Sequence, residues 1–420
     1  MINDLIHLAA LGAVLALVGY VLLLIVNEVR RFRQSVEIAN LQRERLRVQL
    51  GLTRDQKRAE EQRVELSWNG FRKFMIISKQ HECTDVCSFY LAPHDKKPLP
   101  PYHPGQYLTF QIRLPGLQQP VVRCYSLSDS PNHPDYYRVT IRRVLPPTEQ
   151  PKAPPGLVSN HFHDHLQEGD ILDIKAPGGN FFLDAAQQDP IVLIAGGVGL
   201  TPLLSMVNAV TESGSRREVW LFYGVRNGLE TIQKEHLHRL AAENQNLKLH
   251  FCMSQPMPSD RGAEHCHKGR VSVELIKSLL PSNNYRFLIC GPSLMMSTIS
   301  RDLQQWGVPE DNILMEAFGA TTIRDTTASA KTRTGAAFQI SFTRSNKVCT
   351  WKPEAPSLLD FAWENDVKID SGCRAGNCGT CLTAIKSGEV NYLHQPGIKP
   401  EHGSCLTCIA VPKSDLVLDA

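Results

Sequence analysis

The chain has 420 residues, a formal net charge of +3 at pH 7 and 12 cysteines. That length accommodates two to four domains with real cores, and a charge so close to neutral carries no nucleic-acid footprint. Twelve scattered cysteines in so long a chain are no disulfide scaffold; they suit a reducing compartment in which thiols stay free.

The N-terminus carries the first strong pattern. From Leu8 to Val26 no residue is charged, and at about 1.5 Å per helical residue this run matches a hydrocarbon core of about 30 Å. The pattern predicts one transmembrane helix within an anchor over residues 1–33. The start Met1-Ile2-Asn3-Asp4 lacks a basic region and no A-x-A site follows, which favours an uncleaved anchor over a secretory signal. Arg30, Arg31 and Arg33 follow the run directly. The positive-inside rule then predicts a single-pass membrane protein whose soluble domains are cytoplasmic.

Residues 34–68 are dense in Arg, Glu and Gln, with apolar Ile38, Leu41, Val48 and Leu52 at helical spacing. A thin apolar stripe of this kind predicts a helical stalk, whose Arg-rich face also suits anionic headgroups. Over residues 69–185 the pattern changes to short β-rich runs, Tyr107–Ile112, Tyr136–Val144 and Ile171–Ile174, separated by Pro, Gly and Asn. Such spacing predicts a small antiparallel β-barrel. Over residues 186–320 continuous apolar runs, Ile191–Ala195, Glu218–Tyr223 and Arg286–Cys290, alternate with helical stretches. Strands buried on both faces in that rhythm predict an α/β domain with a parallel sheet. Residues 321–335 are small, polar and weakly patterned, as a linker is, and residues 336–420 form the last segment.

The last segment holds the most specific signal. Cys373, Cys378 and Cys381 follow a C-x4-C-x2-C spacing with Cys408 well downstream, the ligand pattern of a plant-type 2Fe-2S cluster. Gly372, Gly376, Gly379, Ala375 and Thr380 keep the loop free of bulk and let backbone N–H groups approach sulfur. Cys405 and Cys408 can both reach as fourth ligand, and the segment Leu406-Thr407-Cys408-Ile409-Ala410 resembles the closing segment of plant-type ferredoxins, which favours Cys408.

In the barrel segment, Arg123-Cys124-Tyr125-Ser126 offers a guanidinium for phosphate, an aromatic face for a flavin ring and a hydroxyl for a ring nitrogen. Around it come Pro104-Gly105-Gln106-Tyr107, Gly156-Leu157-Val158-Ser159, Gly196-Gly197-Val198-Gly199-Leu200-Thr201-Pro202, Cys290-Gly291-Pro292 and Glu316-Ala317-Phe318-Gly319. This set, from about Phe71 to the end, resembles the ferredoxin-NADP reductase superfamily. It is most similar to the reductase portion of flavohaemoglobins and to oxygenase reductases with a C-terminal ferredoxin domain.

The resemblance implies a flavin-binding barrel, a nicotinamide-binding α/β domain and a β-grasp ferredoxin domain. It implies that Arg123, Tyr125 and Ser126 hold the flavin, with Gly156, Leu157, Val158 and Ser159 at a helix start facing its phosphates. Gly196, Gly197, Gly199 and Thr201, with Gly291 and Pro292, would cradle the dinucleotide. Ser126, Cys290 and Phe318 would stand at the reacting rings. The loop at Gly196 is not G-x-G-x-x-G, so that fingerprint carries nothing here.

Hydride comes as two electrons and a 2Fe-2S cluster takes one, so a flavin is the converter between them. The expected route runs from NADH through FAD and the cluster to a partner oxygenase, hydroxylase or desaturase at the membrane. FAD is preferred to FMN on the flavohaemoglobin likeness. NADH is preferred to NADPH because no clear basic pair follows Ser254-Gln255, although Arg226 and Arg261 are available to be recruited. Two other readings are a respiratory NADH:quinone subunit, whose known module order is the reverse, and a redox-sensing interaction protein. His161, His163 and His165 have spacing open to zinc but read better as packing histidines, and Cys83 and Cys87 read as incidental.

Overall fold

The structure, a computed structural model, describes residues 57–118, 120–146, 151–184, 187–260, 265–318, 338–376, 379–393, 396 and 400–420, with positions 12, 19–25, 27–34, 36, 43 and 54 of the N-terminal part. The chain divides into two units, Met1–Glu61 and Gln62–Ala420.

In the first unit residues 19–25 and 27–34 are helical, as are residues 57–61. The expected transmembrane helix is corrected here. Among the described residues no helix is long and apolar enough to cross a membrane. A span needs about 20 apolar residues, whereas the second of these stretches already contains Arg30, Arg31 and Arg33. The rest of Leu8–Val26, most of the predicted stalk and the whole of the predicted linker lie outside the described residues.

The second unit begins with an antiparallel sheet of β1 (Arg72–Cys83), β2 (Val86–Pro93), β3 (Tyr107–Ile112), β4 (Val121–Ser126), β5 (Tyr137–Arg142) and β6 (Ile171–Ile174) in the order β4-β3-β6-β1-β2-β5. A bridge between Leu127 and Val139 brings its two ends together as a barrel. Alternation sets the faces: Phe74 and Ile76 of β1 are buried while Met75 and Ile77 are exposed. Helix α1 (Leu157–Asp164) plugs the barrel through Phe162, whose ring meets Phe89, Phe110 and Tyr125 edge-on.

Next comes a wholly parallel sheet of β7 (Ile191–Gly196), β8 (Val219–Val225), β9 (Leu247–Met253), β10 (Cys266–Lys268), β11 (Arg286–Cys290) and β12 (Ile313–Glu316), ordered β10-β9-β8-β7-β11-β12. All six residues of β7 are buried, because both faces are covered. Leu193 and Ala195 share a core with Leu203 and Val207 of α2 (Leu200–Glu212) and Leu237 of α3 (Lys234–Glu243). Val192 and Ile194 share one with Ile276 of α4 (Val273–Leu279) and Ile299 of α5 (Ser293–Gln305). The strand order reverses between β7 and β11, and a crevice opens where the carboxyl ends of strands diverge in this way.

The C-terminal part is a mixed sheet of β13 (Gln339–Phe342), β14 (Lys347–Thr350), β15 (Leu382–Ser387), β17 (Ser404–Leu406) and β19 (Leu416–Leu418), ordered β14-β13-β19-β15-β17, with β13 and β19 parallel. Strands β16 (Val390–Tyr392) and β18 (Ala410–Pro412) form a separate pair. Helix α6 (Leu358–Glu364) packs Leu358, Phe361 and Ala362 onto the sheet core and Leu359 toward the cysteine loop.

Candidate redox centres

Strand β4 places Arg123 and Tyr125 on one face and Ser126 on the other by simple alternation. Tyr125 is half-buried, its ring edge-on to Phe110 and Phe162 at 5.6 and 5.4 Å, and burial pushes its hydroxyl pKa up. Arg123 donates to the Val122 carbonyl at 2.7 Å. Burial lowers its pKa, and the like charge of Arg374 adds to the lowering. Gly156 caps α1, and a Cβ there would lie 2.6 Å from Val144 Cβ. The Ser159 hydroxyl accepts from Val144 N at 3.2 Å and donates to the Gly156 carbonyl at 3.3 Å, so that hydroxyl pins the turn. Leu157 is exposed and Val158 buried.

At the reversal point of the parallel sheet, β7 runs into a tight turn at Gly197–Gly199 and then into α2. Gly197 adopts a φ of +54°. A Cβ on Gly199 would fall inside the Cys290 carbonyl, and one on Gly196 would lie 2.7 Å from Pro292 Cδ. The loops after β7 and β11 thus touch backbone to backbone, Gly291 leaving no space against Gly196. Thr201 Oγ1 donates to the Val198 carbonyl at 3.0 Å and steadies the turn.

Across this crevice the barrel meets the sheet. Ser126 Oγ donates to Glu316 Oε2 at 3.3 Å, and Glu316 is the register partner of Cys290. All three are buried. Burial drives the Glu316 carboxyl from 4.5 up to about 8, against a lowering by the Ser126 hydrogen bond. Burial, and then the Glu316 charge, raise the Cys290 thiol well above its ordinary value. A neutral carboxyl beside a hydroxyl can hold or pass a proton at the strand end. Ser126 and Cys290 are therefore brought together by a residue to which the sequence reading gave no role. Phe318 follows two residues on, about a third exposed.

In the last domain Cys381 and Cys408 bring their sulfurs to 3.1 Å. Cys381 and Cys373 both bear on the Cys408 thiol and raise its pKa, while the Gly376 N–H lowers it. The Ala375 N–H donates to Cys373 Sγ at 3.4 Å. The loop turns through φ of +55°, +73° and +69° at Arg374, Gly376 and Gly379, and a Cβ on Gly376 would strike Ile409. Arg374 ties the loop to α6 through an ion pair with Asp360 and lies 5.0 Å over the Trp363 ring. Among the described residues, Thr380 Oγ1 and Arg374 Nε are buried without a hydrogen-bond partner. Sulfurs already gathered, N–H groups aimed at them and unspent donors in the same loop fit a cluster with sulfide acceptors. Cys405 instead packs with Ile340, Phe342 and Leu416 in the sheet core, where burial raises its thiol to about 12. Cys378 lies outside the described residues.

The remaining histidines of the sequence reading form no ligand set. His163 Nε2 faces the Ile141 carbonyl at 2.9 Å, while the His161 and His165 rings tilt against each other at 5.2 Å.

Residues 73–183 match the oxidoreductase FAD-binding domain family, 193–301 the oxidoreductase NAD-binding domain family and 342–413 the 2Fe-2S iron-sulfur cluster binding domain family. A flavohemoprotein of Halalkalibacterium halodurans is 40% identical over 253 residues, covering 60% of this chain and 61% of that protein. The chain thus spans about six-tenths of the length of the curated relatives it matches. Among solved structures, phthalate dioxygenase reductase, described as a modular structure for electron transfer from pyridine nucleotides to [2Fe-2S], covers 84% of this chain and 98% of its own at 27% identity and a TM-score of 0.54. The FAD/NAD-binding domain of a nitric oxide dioxygenase from Vibrio cholerae covers 60% of this chain and all of its own at 28% identity and a TM-score of 0.53. The chain thus carries an oxidoreductase FAD-binding domain, an oxidoreductase NAD-binding domain and a 2Fe-2S cluster-binding domain in that order, the arrangement on which its likeness to the ferredoxin-NADP reductase superfamily rests.

Proposed function

We propose that this oxidoreductase takes reducing equivalents from NADH and delivers them singly to a partner oxygenase, hydroxylase or desaturase. The observation that carries the reading is the junction of Ser126, Glu316 and Cys290, where the flavin barrel and the nucleotide crevice meet at buried, hydrogen-bonded groups. FAD supplies conversion between hydride and single electrons, and the cluster supplies one-electron carriage.

The chain's own residues supply binding and order. Arg123, Tyr125 and Ser126 hold the flavin, and the backbone N–H groups at the start of α1, from Leu157 to Ser159, face its phosphates. Gly196, Gly197, Gly199, Gly291 and Pro292 line the nicotinamide crevice, with Thr201 bracing it. Gly199 packs so closely on the Cys290 carbonyl that no side chain fits at the floor of that crevice. Ser126 and Glu316 hold a proton at the Ser126 hydroxyl, and Phe318 covers the flavin side. Cys373, Cys378, Cys381 and Cys408 hold the cluster.

NADH is favoured over NADPH. Arg226, one of the two basic residues that could take a ribose phosphate, is paired with Glu230 at 2.8 Å, and a carboxylate beside it disfavours a phosphate. The oxygenase-type acceptor rests on the likeness to phthalate dioxygenase reductase over most of both chains. Purified protein given NADH is expected to reduce ferricyanide and cytochrome c, with a kcat/KM ratio favouring NADH over NADPH. Failure with both acceptors would overturn the function, and a preference for NADPH would overturn the nucleotide assignment alone.

A further inference from the structure

Away from the redox junction, three histidines gather on one face of the nucleotide sheet at its β9–β10 edge. His250 lies in β9, and His265 and His267 flank Cys266 at the start of β10. His267 pairs with Cys252, two residues on from His250, and so shares the His250 face, while Cys266 packs into the core on the other side; His265, just before the strand at a φ of +62°, turns its ring beside His250. His250 Nδ1 and His267 Nε2 are 3.0 Å apart. The His250 ring centroid is 5.2 Å from that of His267 and 5.5 Å from that of His265.

The three are graded in depth. His250 is buried, His267 half-buried and His265 exposed. Trp220 and Phe222 stack on the His250 ring at interplanar angles of 6° and 15° and fix it as the floor. Burial, then the charges of His267 and His265, hold the His250 pKa down to about 4, and burial and His265 lower that of His267. Both rings are neutral at pH 7, the form that offers a lone pair to a metal.

We propose that His250, His265 and His267 form a binding site for a divalent transition metal ion of the zinc class. Tetrahedral zinc with bonds of about 2.0–2.1 Å holds its nitrogen ligands about 3.3 Å apart, and the His250 and His267 nitrogens already stand near that spacing. On binding the ion, the ring that donates in this hydrogen bond moves its proton to its other nitrogen, so that both facing nitrogens present lone pairs. Rotation of the exposed His265 ring supplies the third nitrogen, and the solvent side leaves the fourth position for water. The other candidate cluster, Asp129, His133 and Glu212, carries no such site, because Asp129 is already satisfied by Arg138, Asn208 and Tyr136.

Zinc retention by the full chain, with flavin and cluster intact by their visible spectra, tests the site. After loading with Zn²⁺ and desalting, the parent is expected to keep one more zinc ion per chain than His265→Ala or His267→Gln. His265 is exposed, so its replacement leaves the core untouched, and His267→Gln keeps a hydrogen-bonding partner for His250. Equal retention in all three proteins would overturn the site. Zinc lost instead on replacing the half-exposed Glu212 by Gln would assign it to the acidic cluster and overturn the site as well.

Discussion

Glu316 is a single carboxyl with two neighbours, and its chemistry follows from them. Buried beside Ser126 and Cys290, it keeps its proton to about pH 8, whereas an unfolded chain loses that proton near 4.5. Between these values the folded state binds the proton the unfolded state has released, so stability falls as pH rises through the window and levels off above about 8. Glu316→Gln is expected to flatten this slope in thermal denaturation of the flavin-loaded protein measured from pH 5 to 8.5. An unchanged slope would show that the carboxyl is not neutral. The same variant keeps a partner for Ser126 but cannot pass a proton, so NADH–ferricyanide turnover should drop about a hundredfold. Cys408 and Cys405 make the second residue-scale case. Cys408→Ser is expected to lose the visible cluster spectrum and Cys405→Ser to keep it, since only Cys408 has its sulfur against Cys381. The reverse result would move the fourth ligand to Cys405. The cysteine loop is legible in sequence because ligand spacing is one-dimensional. Glu316 is not, because its meaning arises only when a strand pairing sets it beside Cys290 and the barrel brings Ser126 to it from 190 positions away.

At the scale of elements, the two glycine turns are where backbone must approach backbone. Gly199 lies so close to the Cys290 carbonyl that a methyl group has no space. Gly199→Ala must spread β7 from β11 at the crevice, costing about 1–3 kcal/mol as overpacking does. The expected reading is a lowered Tm with a raised KM for NADH, and unaltered values of both would refute the close approach. The strands themselves are legible as runs: Tyr107–Ile112, Ile171–Ile174 and Arg286–Cys290 appear with the bounds the pattern suggests. The reason is burial, since one-sided cover imposes alternation and two-sided cover a continuous apolar run. The N-terminal run shows the limit of that reasoning. Hydropathy marks Leu8–Val26 by composition alone, whereas a span also requires an unbroken helix of sufficient length, which the described residues do not supply.

At the scale of the whole molecule, the order of domains implies an order of electron flow. The like charge of Arg374 in the cysteine loop is felt at Arg123 of the barrel, whose pKa it helps to lower, so the two lie within electrostatic reach of each other. If electrons leave only through the cluster, acceptors divide into two kinds. A small oxidant such as ferricyanide can draw on the flavin directly, while a protein such as cytochrome c meets the exposed ferredoxin domain. Cys373→Ser removes one of the proposed cluster ligands without touching the barrel, the crevice or the junction at Glu316. It is expected to retain NADH–ferricyanide activity close to the parent and to lose most cytochrome c reduction, with flavin content unchanged. Arg374→Ala gives a graded version, because it frees the loop from Asp360 while leaving every cysteine in place. Metal–ligand supports of this kind typically cost about 10–100-fold in affinity or activity when removed, so cytochrome c reduction should fall in step with cluster content. Cytochrome c reduction that survives complete loss of the cluster would mean that the flavin serves protein partners directly, and the linear route would be wrong even with every domain correctly identified.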